Sequence, residues 1–314
     1  MGTWLEKLII LIKFYSAEKS VQLNICMEKG NFPVSKLHNS NLRGVNNMTL
    51  ELNKTHCMDN REGMKLLPGN YIDLTVTSPP YDDLRSYKGC EWNFEVFKEV
   101  ANELYRVTKD GGVVVWVVND KTKNGSETGT SFRQALYFKE IGFNLWDTMI
   151  YQKIGGLKPN PKIPRYTPDF EYMFVFTKGT PRSFNEIRIP CSTAGEKLGK
   201  SKKQRQISGE LKPITLTHNE VQETKRKGNI WSYGVGNNKS TKDKIAFQHP
   251  AIFPEKLAED HIISWSNEGD IVMDIFAGSG TVRKMCKLNN RQYIGFEIAE
   301  EYIEIDEERN QRGI

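Results

Sequence analysis

The apolar positions of the chain fall into two periods that alternate. "YIDLTVT", Tyr71 to Thr77, is β-branched and apolar enough to read as a buried strand. "FEVFKEVANELYRVTKDGG" then changes the spacing: Phe94, Phe97, Val100, Ala101, Leu104 and Tyr105 recur at helical intervals, and Gly111 with Gly112 is expected to close that helix. "VVVWVV" (113–118) is a second apolar strand and "SFRQALYFKEIG" (131–142) a second helix. "NLWDTMIYQK" (144–153) and "FEYMFVFTKG" (170–179) predict two more strands, joined by a loop rich in glycine and proline. After a long polar stretch, "FPEKLAEDHIISWS" (253–266) is again helical, with Pro254 suited to a first turn. "DIVMDIF" (270–276) and "QYIGFEI" (292–298) are strands, each followed by a helical segment. Strands apolar throughout and alternating with helices predict an α/β fold, a mostly parallel sheet covered on both faces.

Between these regular regions lie two segments of different character. From residue 180 to 244 the chain is polar and lysine-rich, with fourteen Lys or Arg against six Asp or Glu, an excess larger than the +5 of the whole chain. This reads as a lobe inserted in the sheet. It divides the rest into a first half (48–179) and a second half (245–314). Residues 1–47 hold one apolar burst, "LIILIKF", too short to span a bilayer, and are expected to form an amphipathic helix or a poorly ordered extension. Met48 is a second candidate start. The five cysteines are scattered without CxxC spacing, which favours a reducing, cytoplasmic setting over a disulfide framework or zinc site, and no metal is expected.

Chemistry enters with "DIFAGSGT", Asp274 to Thr281: a strand ends, Gly278 and Gly280 turn tightly, and a helix begins. Such a turn directs backbone N–H groups and the positive end of a helix dipole toward a ligand. Glu297 stands at the end of the next strand, where a carboxylate can accept the hydroxyls of a ribose. A dinucleotide fingerprint needs a small residue three positions after its second glycine, and Arg283 occupies that position. The shorter turn suits a nucleoside without phosphates, a description that S-adenosylmethionine meets.

A second motif, "TSPPY", stops the first strand abruptly. The strand delivers Ser78 to the carboxyl edge of the sheet, where open α/β sheets place their ligands. Pro79 and Pro80 lock the turn and lack N–H groups, so their carbonyls can serve as fixed acceptors, and Tyr81 can act as a stacking surface. Two acceptors beside an aromatic ring suit the exocyclic amine of a flat base. Hydrogen bonds from that amine to Ser78 Oγ and the Pro79 carbonyl would localise its lone pair for direct attack on a sulfonium methyl. The base must leave the duplex to reach them. Taken alone, either motif is also compatible with a plain structural turn.

Together, and in this order, the two motifs resemble the amino-methyltransferases of DNA. The resemblance is to the β group and in particular to the cytosine-N4 enzymes, whose catalytic motif is Ser-Pro-Pro-Tyr; adenine-N6 members more often carry Asp or Asn in place of the serine. It covers about Met48 to Arg312 and implies a Rossmann-like S-adenosylmethionine-dependent methyltransferase sheet with a basic target-recognition insert. It makes Ser78, Pro79, Pro80 and Tyr81 catalytic. It places Asp59 of "HCMDNREGMKLLP" at the adenine edge of the cofactor and His249, Pro250 and Phe253 of "HPAIFPEKL" over its methionine part. Asp274, Phe276, Gly278, Gly280, Thr281 and Glu297 complete the cofactor set. The implied substrate is a specific sequence in double-stranded DNA, with protection from a cognate restriction endonuclease as the role and no membrane involved.

The basic insert would then contact phosphates through Lys200, Lys202, Lys203, Arg205, Lys225, Arg226 and Lys227, with Arg85 and Tyr87 bracing the strand near the flipped base. A solvated basic loop is the plain alternative. A cytosine carbon-5 enzyme would need a cysteine nucleophile; Pro190-Cys191 offers one, but inside the insert and away from a strand end. Adenine-N6 methylation uses the same geometry, and a non-catalytic DNA-binding module with this fold, or an RNA substrate, are further alternatives.

Overall fold

The computed structural model describes residues 50–81, 92–155, 162, 164–197, 203–214 and 220–311. Eight strands form its main sheet: β1 (Lys54–Cys57), β2 (Ile72–Thr77), β3 (Thr108–Val118), β4 (Asn144–Ile154), β5 (Phe170–Thr177), β6 (Ile230–Gly234), β7 (Ile271–Asp274) and β8 (Gln292–Glu297). Their spatial order is β1-β8-β7-β2-β3-β5-β4-β6. All neighbours are parallel except β3–β5 and β5–β4. The sheet is thus mostly parallel, with β5 the reversed strand.

Alternation along the strands divides the apolar residues between two cores. Val114, Trp116 and Val118 of β3 face a cluster completed by Phe97, Val100, Ala101 and Leu104 of α2 (Phe94–Val107), Met64 of α1 (Asn60–Lys65) and Phe138 of α3 (Thr130–Glu140). Val113, Val115 and Val117 face the opposite cluster, with Leu257 and Ile262 of α4 (Glu255–Trp265) and Val282 and Met285 of α5 (Thr281–Leu288). A strand buried on both faces has no polar side to show, which is why β3 reads as an unbroken apolar run. The last helix, α6 (Glu300–Gln311), follows β8.

Several boundaries differ from the sequence expectation, each for a local reason. Helix α2 ends at Val107: Thr108 turns to extended geometry and its hydroxyl donates to the Leu104 carbonyl at 2.6 Å. Gly111 and Gly112 therefore lie inside β3, within a register shift against β2, and do not close the helix. Pro254 caps α4 from outside its first turn. The strand β1 and the six-residue helix α1 are additions to the predicted elements. Ile230–Gly234, expected within the basic lobe, is instead the edge strand β6, paired parallel to β4. The remainder of that lobe includes two small antiparallel pairs, 188–190 with 224–226 and 203–205 with 211–213.

Strand β6 is anchored by its inward residues Trp231 and Tyr233, which are 5% and 6% exposed. The Trp231 ring lies 4.8 Å from that of buried His261, and its Nε1 donates to the Gly228 carbonyl at 2.8 Å. Trp231→Ala is expected to lower unfolding free energy by about 3–5 kcal/mol, as large core truncations do; urea denaturation measures it. A shift under about 1 kcal/mol would place this strand outside the cooperative core.

Candidate active site

Because β1, β8, β7, β2 and β3 run parallel, their carboxyl ends converge on one edge, and the reversal of β5 brings its first residues to that same edge. A cavity of about 940 Å³ opens there. Its walls include Asp59, Ser78 to Tyr81, His249, Pro250, Phe253, Asp274, Phe276, Gly278, Thr281 and Glu297. The two motifs, about two hundred residues apart in the chain, thus face one space. That volume sits at the upper end of ordinary ligand cavities, about 300–1,000 Å³.

One hydrogen bond joins the motifs directly. The Thr77 hydroxyl, at the end of β2, donates to Asp274 Oδ1 at 2.7 Å, and the Phe276 amide donates to the same oxygen at 3.1 Å. Asp274 is 6% exposed, and its burial pushes the carboxyl up to about 7, with the charges of Glu297 and Asp306 adding to the effect and its two donors opposing it.

The glycine turn is shaped by what lies behind it. Gly280 holds φ 72°, the left-handed region, and a Cβ there would stand 1.8 Å from Asp306 Oδ1. A Cβ on Gly278 would reach 3.0 Å from His249 Nε2. The fully buried Arg309 donates to the Ser279 carbonyl at 3.0 Å and to Thr281 Oγ1 at 2.8 Å, and it pairs with Glu255 and Asp243. The turn is thereby clamped between α6 and α4. Gly278 N–H donates to Glu297 Oε2 at 2.9 Å, while Glu297 Oε1 accepts from the Ile298 and Ala299 amides at 2.9 and 3.0 Å. Burial raises the Glu297 carboxyl, and those three amides oppose the shift. Of the roughly four lone-pair positions on a carboxylate, about one is left for a ligand hydroxyl.

The other expected cofactor residues also have protein partners. Asp59 caps α1, accepting from the Arg61 amide at 2.8 Å and pairing with its guanidinium at 2.8 Å, which holds its carboxyl below the usual range. The His249 ring meets Tyr302 edge-on at 4.3 Å, and Phe276 meets Trp92 edge-on at 5.2 Å.

Tyr81 is half-buried, and its hydroxyl lies 3.1 Å from Ser78 Oγ and donates to Glu171 Oε2 at 2.7 Å. Glu171 is in turn paired with Lys153 at 2.6 Å. Neither Glu171 nor Lys153 is among the sequence-derived site residues. The clue was available: an acid near the start of the otherwise apolar run of β5.

The basic candidates separate. Lys203 and Arg205 are exposed on the 203–205 strand, and Lys225 is exposed on 224–226. Arg226 pairs with Glu186 at 2.6 Å. Lys227 pairs with buried Asp260 at 3.2 Å and sits 4.4 Å over the Trp231 ring, so it is engaged within the fold. Arg85, Tyr87, Lys200 and Lys202 lie outside the described residues. Cys191 is not among the residues that line the cavity. Among the described residues no group of three or more His, Cys, Asp or Glu side chains is arranged to hold a metal ion, and no helix is long and apolar enough to cross a membrane.

The family described as DNA methylase, which spans N6 and N4 enzymes, matches residues 72–308. The chain belongs to this DNA methylase family. The methylase is 59% identical over 243 residues to the orphan methyltransferase M.BamHII of Bacillus amyloliquefaciens, covering 76% of this chain and 88% of that one. It is 31% identical to the type II methyltransferase M.HpaI of Haemophilus parainfluenzae, over 81% of this chain and 72% of the relative. Its fold is like that of the PvuII cytosine-N4-specific DNA methyltransferase, with TM-score 0.58, 20% identity, and coverage of 80% of this chain and 84% of that one. It is also like a putative DNA modification methylase of Thermus thermophilus solved with S-adenosyl-L-methionine, with TM-score 0.53, 22% identity, and coverage of 82% and 93%. S-adenosylmethionine is the cofactor that membership implies, and a cavity of this volume edged by a carboxylate and a clamped glycine turn has room for it.

Two outcomes follow from the Thr77–Asp274 contact. Thr77→Val leaves a buried carboxyl short of a donor and is expected to cost about 1–3 kcal/mol in urea denaturation. The folded state binds the Asp274 proton more tightly than the unfolded chain, so this group contributes stability that is full below its ordinary value of 3.8 and is lost as pH rises through about 7. Asp274→Asn should therefore flatten the decline in melting temperature between about pH 4 and about pH 7. An unchanged slope there would contradict the raised carboxyl.

Proposed function

We propose that this methylase transfers a methyl group from S-adenosylmethionine to the exocyclic N4 amine of cytosine at a specific sequence in duplex DNA. The observation that carries this reading is that Ser78, Pro79, Tyr81 and the turn from Asp274 to Ser279 line one cavity. When bound, S-adenosylmethionine supplies an electrophilic sulfonium methyl. Ser78 Oγ and the Pro79 carbonyl accept hydrogen bonds from the amine and draw its lone pair out of the ring. On such a transfer the new N–C bond would form as the donor's C–S bond breaks, and the amine would release one proton to solvent. Tyr81 supplies an aromatic surface for a base turned out of the stack.

On the donor side, Glu297 is the group we assign to a ribose hydroxyl, Asp59 to the adenine edge, and His249, Pro250 and Phe253 to the methionine part. Phe276, Gly278 and Thr281 complete that wall with Asp274, while Gly280 is not among the lining residues and shapes the turn from behind, against Asp306. Exposed Lys203, Arg205 and Lys225 are the described candidates for phosphate contact. Cytosine is favoured by a serine at position 78, where adenine enzymes more often carry an acid or amide. The fold likeness to the PvuII cytosine-N4 enzyme agrees with this, while the 27% identity to the DNA adenine methyltransferase YhdJ of Escherichia coli supports adenine-N6 as the second reading. Type II relatives favour a cytoplasmic restriction–modification role beside a cognate endonuclease; the orphan name of M.BamHII favours action without one.

Nucleoside mass spectrometry of DNA from cells expressing the chain is expected to reveal N4-methylcytosine. N6-methyladenine in its place would select the second reading, and neither base would overturn both. Ser78→Ala is expected to lower the single-turnover rate by about 100-fold, in the range for loss of one preorganised polar contact to a reacting group.

A further inference from the structure

A serine hydroxyl is both donor and acceptor, whereas the amine it is to receive offers hydrogens. Something must turn the Ser78 proton away from the substrate. The Tyr81 phenol carries one proton, and that proton is directed to Glu171 Oε2 at 2.7 Å. The remaining contact, 3.1 Å between Tyr81 Oη and Ser78 Oγ, then has its hydrogen on Ser78. Glu171 is held as an acceptor by Lys153, whose ammonium lies 2.6 Å from Oε1; the two side chains are only 14% and 18% exposed. Burial and the Glu171 charge both keep the phenol protonated, well above its ordinary value.

We propose that Lys153, Glu171 and Tyr81 form a directional chain that fixes Ser78 as an acceptor toward the target amine, with Glu171 as its positioning residue. This rests on the reading of Ser78 as the group that receives the exocyclic amine. The polarity runs one way: Lys153 and Tyr81 both donate to Glu171, and Ser78 donates to Tyr81. The lone pairs of Ser78 Oγ are then left available to an N–H. An aspartate at the same place would be an acceptor without help; a serine needs its rotor set. The device therefore accounts for a partly buried acid at the start of β5 and a lysine at the end of β4, at a site whose chemistry uses neither directly.

The test compares Tyr81→Phe, Glu171→Gln and the double variant in the full chain. Single-turnover methylation of DNA, the DNA KM, S-adenosylmethionine affinity by calorimetry and melting temperature are measured for each. Each single variant is expected to lower the rate about 10-fold, the scale of one misdirected hydrogen bond to a reacting group, with KM and cofactor affinity within about twofold. The double variant is expected to fall by about the same 10-fold, because both changes break one chain. Wild-type rates in Glu171→Gln, or a double variant slowed by the product of the singles, would overturn the proposal. If Glu171→Gln fails to fold, Tyr81→Phe, which keeps the Glu171–Lys153 pair and the ring, decides alone by the same criterion. A wild-type chain that methylates no base sinks the functional reading and this one with it, whereas an active wild type with unaffected variants sinks only this one.

Discussion

The ends of β2 and β7 are held together by the Thr77 hydroxyl on the Asp274 carboxyl, at 2.7 Å in a buried setting. Adjacent parallel strands already share a ladder, but a ladder leaves the loops beyond it free to diverge. This side-chain bond acts one residue before Ser78 and at the first residue of the glycine motif. It therefore sets the separation of the two turns on which amine and methyl donor would have to meet. Reacting groups must be aligned to within fractions of an ångström, so a bond of this kind at the strand ends matters more than its own stability contribution suggests.

The cavity is rigid for a second reason: its backbone is held by charged side chains that are themselves out of water. Arg309 has no exposed side-chain surface and reaches the Ser279 carbonyl, Thr281 and two acids from different segments. Removing one member of such a set would strand a buried charge, which costs more than the pair contributes. Asp306 fills the space that a side chain at position 280 would need, so the glycine answers to packing behind the turn as much as to a ligand in front of it. Glu297 likewise works inward, gathering three amides, before it works outward. The edge of the sheet is preorganised by bonds that do not depend on what binds there.

Charge is divided between packing and solvent. The basic stretch looked uniform along the chain, yet its members play different parts. Lys227 sits over Trp231 against Asp260 and helps seat the edge strand, while Lys203, Arg205 and Lys225 stand in solvent. A lysine next to a buried acid and an aromatic ring is partly a packing residue, and only exposed ones keep a full charge for a polyanion.

The alternating strands and helices, the two-sided burial of β3 and the positions of both motifs were legible because each is written in contiguous residues: period, β-branching and turn chemistry are local properties. The end of α2 is not legible in the sequence because Gly111 and Gly112 are ordinary helix stops, whereas the backbone already turns extended at Thr108 and enters β3 there. Strand β6 was hidden in a polar context, since an edge strand needs only Trp231 and Tyr233 inward and takes its order from β4. Glu171 and Lys153 could be seen as letters but not as neighbours of Tyr81. The chain by itself determined which motifs it carries and the DNA methylase family to which it belongs. The tertiary structure alone decided which polar groups meet, because strand order, not sequence distance, brings Tyr81, Glu171 and Lys153 within about 3 Å of a partner.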